Sequence, residues 1–372
     1  MTLAFSDAAS ALELNYLDTL EALVRLESPT HDKRAVDLLI SHLWALLNLR
    51  GWAVERHAGE VVGDVLIAHK KGGDGPKSLL LTHCDTVWPL GTLAQMPFRR
   101  DGDKVYGPGV LDMKAGIVSA LEAVSLAETA GALRGPVTLL ISSDEEAGSR
   151  HSRALIEALA REHDRVFVLE PGRDDGALKV GRKGVGDFGV SFLGRSAHAG
   201  NNPELGASAL RELAHFLLFA EGLGDAEAGT SINLTVAHGG SVGNVIAEAA
   251  TATLDFRVLK LGEGTRIENA VQSYVPRDER VKVTITGGLN RPPLEPTPAN
   301  RALFEEAKRL GFSGEGAVVG GASDGNFTSA LGVPTLDGLG SVGEGPHARH
   351  EHIRVRETLA RVALLAAFLS AL

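Results

Sequence analysis

PVTLLISSDEEAGSR, residues 136–150, sets an apolar run against three consecutive carboxylates. Pro136 to Ser143 reads as a short strand. Its apolarity is continuous rather than alternating, the pattern of a strand covered on both faces of an α/β sheet. Asp144, Glu145 and Glu146 follow at its carboxyl end, and no cation offsets them before Arg150. A solvated acidic turn is one reading, and a positively charged ligand at the strand end is the other. Ligands of open α/β sheets bind outside the carboxyl ends of the strands, so the neighbouring strands decide between the two.

The same pattern recurs on either side. Ser78–Leu81 (SLLL) is a short apolar strand leading into THCD, and Arg165–Leu169 (RVFVL) is another, ending at Glu170. Helical apolar spacing occupies 12–26, 35–50, 113–130 and 153–161, with Gly51 and Gly131 placed as stops. Alternating strands and helices predict an α/β sheet. The middle of the chain reads as strand 185–192, helix 206–220, strands 231–237 and 250–259, helix 264–274 and strand 281–286. That β-α-β-β-α-β order is the ferredoxin-like split unit. After Arg291-Pro292-Pro293 the first pattern resumes, with helix 299–310, strands at 316–319 and 333–336, and helix 355–371. The chain is therefore expected to form a discontinuous α/β domain, 1–182 and 293–372, with an α+β domain inserted at 183–292.

Bulk properties narrow the function. The 372 residues are 44% hydrophobic and 23% charged, with net charge −10, an ordinary globular composition that disfavours nucleic-acid binding. No signal peptide and no apolar stretch long enough to span a bilayer is apparent. A single cysteine, Cys84, permits no internal disulfide and suits a reducing, cytoplasmic setting. Some motif matches lack their context. GVGDFG (184–189) leads into more strand, where a dinucleotide-binding turn requires a helix. In GDGPKS (73–78), Pro76 spoils a phosphate loop. Cys84 points away from the face shared by His83 and Asp85 and reads as a buried structural thiol.

What remains is a convergence. Strand ends deliver His83, Glu145, Glu146 and Glu170 to one sheet edge, and Asp112 lies at a helix entrance. Imidazole and carboxylate together suit zinc. Asp85, on the face of His83, is placed to accept the other imidazole N–H. A second histidine is needed for a two-metal site, and GPHARHEHI (345–353) offers His347, His350 and His352 without local grounds for choosing.

Five motifs in order, HCDTV (83–87), YGPGVLDMKAG (106–116), SSDEEAGS (142–149), GRSAHAG (194–200) and HARHE (347–351), resemble the carboxypeptidase G, aminoacylase and desuccinylase superfamily of dizinc hydrolases. KVYGPGVLDMK, Glu170 and HAGNNPELG resemble the glutamate carboxypeptidase branch in particular. The resemblance implies a three-layer zinc-peptidase sandwich with an inserted ferredoxin-like dimerisation (lid) domain, and a homodimer. It implies two Zn2+, with Co2+ or Mn2+ able to substitute. Asp112 would bridge them, His83 and Glu170 would hold one, and Glu146 and His347 the other, His347 being chosen because Glu351 follows four residues on. Glu145 would be the general base, Asp85 would steer His83, and His198 would reach a partner subunit's site to polarise the scissile carbonyl. Arg257, with Asn233 on a paired strand and Arg291 at the second junction, would contact substrate, Arg257 as a carboxylate clamp. Cys84 and Ala115 depart from the family pattern, but neither position supplies a ligand.

The activity implied is a carboxypeptidase releasing a C-terminal amino acid, glutamate among the candidates, by metal-hydroxide attack. Rival readings are an N-acyl-amino-acid amidohydrolase with the same zinc site, and an inactive peptide-binding protein. The intact Glu145, Glu146 and His347 argue against the last. The substrate class is a small peptide or N-acyl amino acid, with no nucleic-acid or membrane partner.

Overall fold

The computed structural model describes residues 2–371, with side chains from Phe5 onward. The three apolar runs become adjacent parallel strands, in the order Val137–Ser142, Ser78–His83, Arg165–Val168. They are the centre of an eight-stranded mixed sheet. Ala53–His57 and Val65–Lys70 add antiparallel strands on one side. Thr335–Asp337, Leu178–Arg182 and Gly316–Val319 extend the other.

Side chains alternate across this sheet, and each face has its own core. Leu80, Leu139, Ile141 and Phe167 pack with the helices Glu13–Val24, Lys33–Leu49, Ala115–Thr129 and Val355–Ser370. Leu79, Leu81, Leu140, Val166 and Val168 pack with Ile156 and Ala160 of helix Arg153–Arg161 and with Phe327 of helix Gly325–Ala330. Both faces being covered explains why the central strands carry no polar alternation. Local signals fix the helix ends. Asp32 accepts the Ala35 N–H at 3.0 Å to cap Lys33–Leu49, and Gly51 beyond it has φ +73°, the left-handed conformation glycine adopts freely.

By contact the chain divides into two compact units. One comprises the chain up to Gly181 with Pro296–Val319 and Ser323 onward, and the other Arg182–Glu295 with Gly320–Ala322. The second unit has strands Gly184–Leu193, Ser231–Gly239, Ala249–Val258 and Lys282–Arg291, and helices Ala209–Glu221 and Leu261–Gln272. Numbered within the unit its sheet order is 2-3-1-4, all antiparallel, the ferredoxin-like arrangement read from the sequence. Phe188, Phe192, Phe216 and Phe256 fill its core.

Several elements depart from the sequence reading. The edge strands Ala53–His57 and Val65–Lys70 were not expected, nor was a small sheet of Gly343–Glu344, His352–Arg354, Lys104–Tyr106 and Arg99–Asp101. Two- and three-residue strands carry too little pattern to be read. The helix expected from Met113 begins at Ala115. Asp112 and Met113 have non-helical φ/ψ inside a tight turn, Val110–Lys114, and the peptide bond between them is cis. Asp112 therefore caps no helix. Among the described residues no helix is long and apolar enough to cross a membrane.

Candidate metal centre

Parallel pairing aligns the strand ends. His83 pairs with Ser142 and Leu81 with Val168, so His83, the Asp144–Glu146 turn and Glu170 emerge side by side. Asp112 reaches them from its turn. His347 comes from the loop between two strands of the small sheet, where His352 pairs with Tyr106 and draws residues 345–351 against 107–112.

The side chains form two overlapping clusters. His83 Nε2 lies 3.1 Å from Asp112 Oδ1 and 3.4 Å from Glu170 Oε1. His347 Nε2 lies 3.4 Å from Asp112 Oδ2 and 3.3 Å from Glu146 Oε1. Asp112 thus faces a different imidazole with each oxygen. Donor atoms of His83, Asp112 and Glu146 converge tightly enough for one cation, as do those of His83, Glu145 and Glu170. His350 and His352 stay out of the cluster. The ring of His352 packs on Tyr106 at 5.0 Å, and its Nδ1 meets the His350 carbonyl.

The electrostatics favour positive charge. Burial alone would lower the His83 pKa, but Asp112, Asp85 and Glu170 outweigh it and hold it well above the ordinary value. Asp112 and Glu146 push His347 up to about 10. Burial raises Glu146 and Asp144. A field that holds protons on two histidines also attracts a divalent cation. The donor set fits such an ion: two imidazoles and three carboxylates suit zinc. Glu146 Oε1 is buried and receives no hydrogen bond although His347 stands beside it, as expected of an oxygen kept for a metal.

Supporting residues hold this set in place. The Asp85 carboxylate accepts the backbone N–H groups of Glu145 and Glu146, both at 3.2 Å, and the Thr30 hydroxyl at 2.8 Å. Its expected bond to His83 is shared. Nδ1 is 3.0 Å from the Asp85 carbonyl and 3.4 Å from the carboxylate. Asp85 therefore positions the Glu145–Glu146 turn as well as the imidazole. Asp144 accepts His151 N at 2.7 Å and closes the same turn. Ser149, a non-glycine residue at φ +53°, donates its hydroxyl to Asp324.

In the sequence Glu351 serves only as the mark that selects His347. It is fully buried. Oε1 accepts Leu111 N at 2.9 Å and Asp112 N at 3.1 Å, and Oε2 accepts Trp88 Nε1 at 2.7 Å and Gly109 N at 3.0 Å. It anchors the turn that presents Asp112. Burial pushes its pKa up to about 7 against these four donors. HARHE was its only signal, and that marked Glu351 as a pattern residue without a task. Cys84 is fully buried, and burial drives its thiol pKa up, which makes it inert.

The other candidate residues lie in the second unit. The exposed His198 accepts Gly200 N and Asn201 N at Nδ1, at 3.1 and 3.0 Å. Nε2 is therefore its N–H. Ser231 pairs with Arg257 and Asn233 with Asp255. The Arg257 guanidinium is not a free clamp, because Asp255, two residues away on the same strand face, holds it at 2.8–3.1 Å. Arg291 is buried at 6% exposure. Gly321 and Ala322 present their carbonyls to Arg182, both at 3.2 Å.

A carboxylate–imidazole cluster at the C-terminal edge of an α/β sheet, buried around His83 and open at His347, in a chain that also carries a ferredoxin-like unit, defines a metal-dependent hydrolase of peptide or amide bonds. The chain belongs to peptidase family M20/M25/M40, whose model matches residues 79–371. It is 35% identical over 346 residues to carboxypeptidase G2 of Pseudomonas sp. (strain RS-16), covering 89% of this chain and 83% of that protein. It is 31% identical over 329 residues to succinyl-diaminopimelate desuccinylase of Gluconacetobacter diazotrophicus, covering 81% and 82%. Among solved structures it resembles an M20 family metallo-carboxypeptidase from Sulfolobus solfataricus, with TM-score 0.77 and 18% identity over 95% of this chain and 98% of the other. A tripeptidase from Staphylococcus aureus has TM-score 0.77 and 21% identity over 96% and 98%.

Proposed function

We propose that this enzyme is a dizinc exopeptidase that releases the C-terminal amino acid of a small peptide, glutamate among the candidates. The observation carrying this reading is the division of Asp112. Each of its oxygens faces one imidazole, and each imidazole faces one further carboxylate, which is the donor set of two sites with one shared ligand. His83 and Glu170 would hold one zinc, Glu146 and His347 the other. Zinc bound there would polarise the scissile carbonyl and lower the pKa of a water to about 7.

Glu145 takes the proton from the attacking water and returns it to the departing amine. Its backbone N–H on Asp85 fixes where its carboxylate starts, and at 9% exposure it is shielded from bulk solvent. His198 donates its Nε2–H to the substrate carbonyl, in a homodimer across the subunit boundary. Asn233 and Arg291 contact substrate, and Arg257 joins them on leaving Asp255. The inserted unit is the dimerisation domain, and the enzyme works in the cytoplasm. Similarity to a desuccinylase supports a second reading, hydrolysis of N-acyl amino acids by the same centre.

Glu145→Gln tests the mechanism. Turnover should fall by about 10²–10⁴-fold while the purified variant keeps its metal. A variant with wild-type turnover refutes the base assignment. Purified enzyme that contains no zinc, cobalt or manganese and gains no activity from them refutes the metal centre. A panel of dipeptides and N-acyl amino acids with varied C-terminal residues decides between the two substrate readings.

A further inference from the structure

The C-terminal helix Val355–Ser370 is apolar on nearly every side, and Arg361 sits within it at 4% exposure. A guanidinium carries five N–H donors. Here Nη2 meets the Gly176 carbonyl, Nε is buried without a partner, and the ring of Phe312 stacks over the group at 4.7 Å. Its nearest acidic neighbour, Glu357, is turned to Arg354 at 2.5 Å. Burial pulls the Arg361 pKa down to about 10, which leaves it charged at neutral pH. A buried charge without an ion-pair partner is costly.

Beside this cation lies a cavity of about 280 Å³. Phe312, Val342 and Leu364 give it an apolar wall, and Asp175 and Glu357 stand at its rim with side chains 52% and 47% exposed. A water's share of liquid volume is about 30 Å³, so the space takes several waters or one small organic molecule. None of its lining residues belongs to the metal cluster.

We propose that this cavity binds a free α-amino acid, its carboxylate on Arg361, its side chain on the apolar wall and its ammonium at the Asp175–Glu357 rim. Arg361 then gains the anion it lacks. The rim carboxylates already pair with Arg173 and Arg354, but the exposed Asp175 pair is weak, and carboxylate oxygens have lone pairs for further bonds. The inference is independent of the metal chemistry.

The test is calorimetric titration of the metal-loaded enzyme with L-valine at neutral pH. Saturable binding is expected. Arg361→Met should weaken it by about tenfold or more, the loss of one charge-assisted contact. Ala360→Leu, a substitution at an exposed lining position that leaves Arg361 intact, should do the same by filling the rim. Valine methyl ester, which lacks the carboxylate, and isovalerate, which lacks the ammonium, should each bind about tenfold more weakly. The proposal is overturned if no saturation appears up to tens of millimolar (roughly the weakest useful range), leaving water alone in the cavity. It is also overturned if both variants bind valine like the wild type, which would place the ligand elsewhere. Methyl ester bound as well as valine removes the role of Arg361, and isovalerate bound as well removes that of the rim.

Discussion

Replacing Glu351 with glutamine removes one oxygen from a cage built for two. The carboxylate accepts four N–H groups, two on each oxygen. The glutamine amide accepts on one oxygen only, and its NH₂ must face the other pair of donors. Two buried N–H groups lose their acceptor, at about 1–3 kcal/mol each, so Glu351→Gln should cost about 2–6 kcal/mol in urea unfolding at neutral pH. Relief of the buried charge offsets part of this, which favours the lower half of the range. Trp88→Phe removes one donor and leaves three, and should cost less. The double variant frees the amide of one unpaired donor if the amide turns toward Trp88. Its cost should then fall below the sum of the singles, with a coupling of about 0.5–3 kcal/mol. Because two of the four donors belong to Leu111 and Asp112, turnover should fall along with stability. A Glu351→Gln protein within about 0.5 kcal/mol of wild type, the range of ordinary surface substitutions, would refute the anchoring role.

Three further outcomes follow from the same geometry. Gly340→Ala would set a Cβ 1.9 Å from the Leu169 carbonyl and 3.0 Å from that of Glu170. It should destabilise by about 1–3 kcal/mol and lower turnover, because the backbone that must shift carries Glu170, and thermal melts with initial rates check both. Asp64 is held below the usual carboxylate range. Burial works the other way, but Lys33 and Arg56, each at 2.6 Å, and the Gly59 N–H outweigh it. Between the folded pKa and about 3.9 the unfolded chain binds more protons. The stabilisation is therefore complete above about pH 4 and is lost as pH falls through the folded value, so the cost of Asp64→Asn measured by denaturation should be about 1–3 kcal/mol at neutral pH and shrink in acid. Ser149→Gly, at φ +53°, should retain activity better than Ser149→Ala. Both lose the hydroxyl bond to Asp324, but glycine adopts that conformation freely whereas alanine keeps the Cβ, and equal rates for the two would show that the backbone conformation at Ser149 does not limit the turn.

The central strands and the metal-centre candidates were legible in the sequence for one physical reason. A parallel sheet buries its strands on both faces, so they stay apolar from end to end, and the first polar residues after each run mark the edge where ligands gather. His83, Glu145, Glu146 and Glu170 were found this way. Edge strands such as Ala53–His57 are half solvated and carry no such run. The partner of Arg257 was open to a local rule, since Asp255 two residues earlier on a strand shares its face. Glu351 could not have been placed by any local rule, because it meets Gly109, Leu111 and Asp112 across some 240 residues of chain. Its neighbour His347 depends on the same contact. The small sheet brings residues 345–351 to the Asp112 turn, and the buried carboxylate locks the two loops together. The acidic turn DEE thus meets His347 through Glu351, whose two oxygens are taken up by backbone and indole donors. Asp112 can face two imidazoles because that carboxylate fixes the backbone on which it stands.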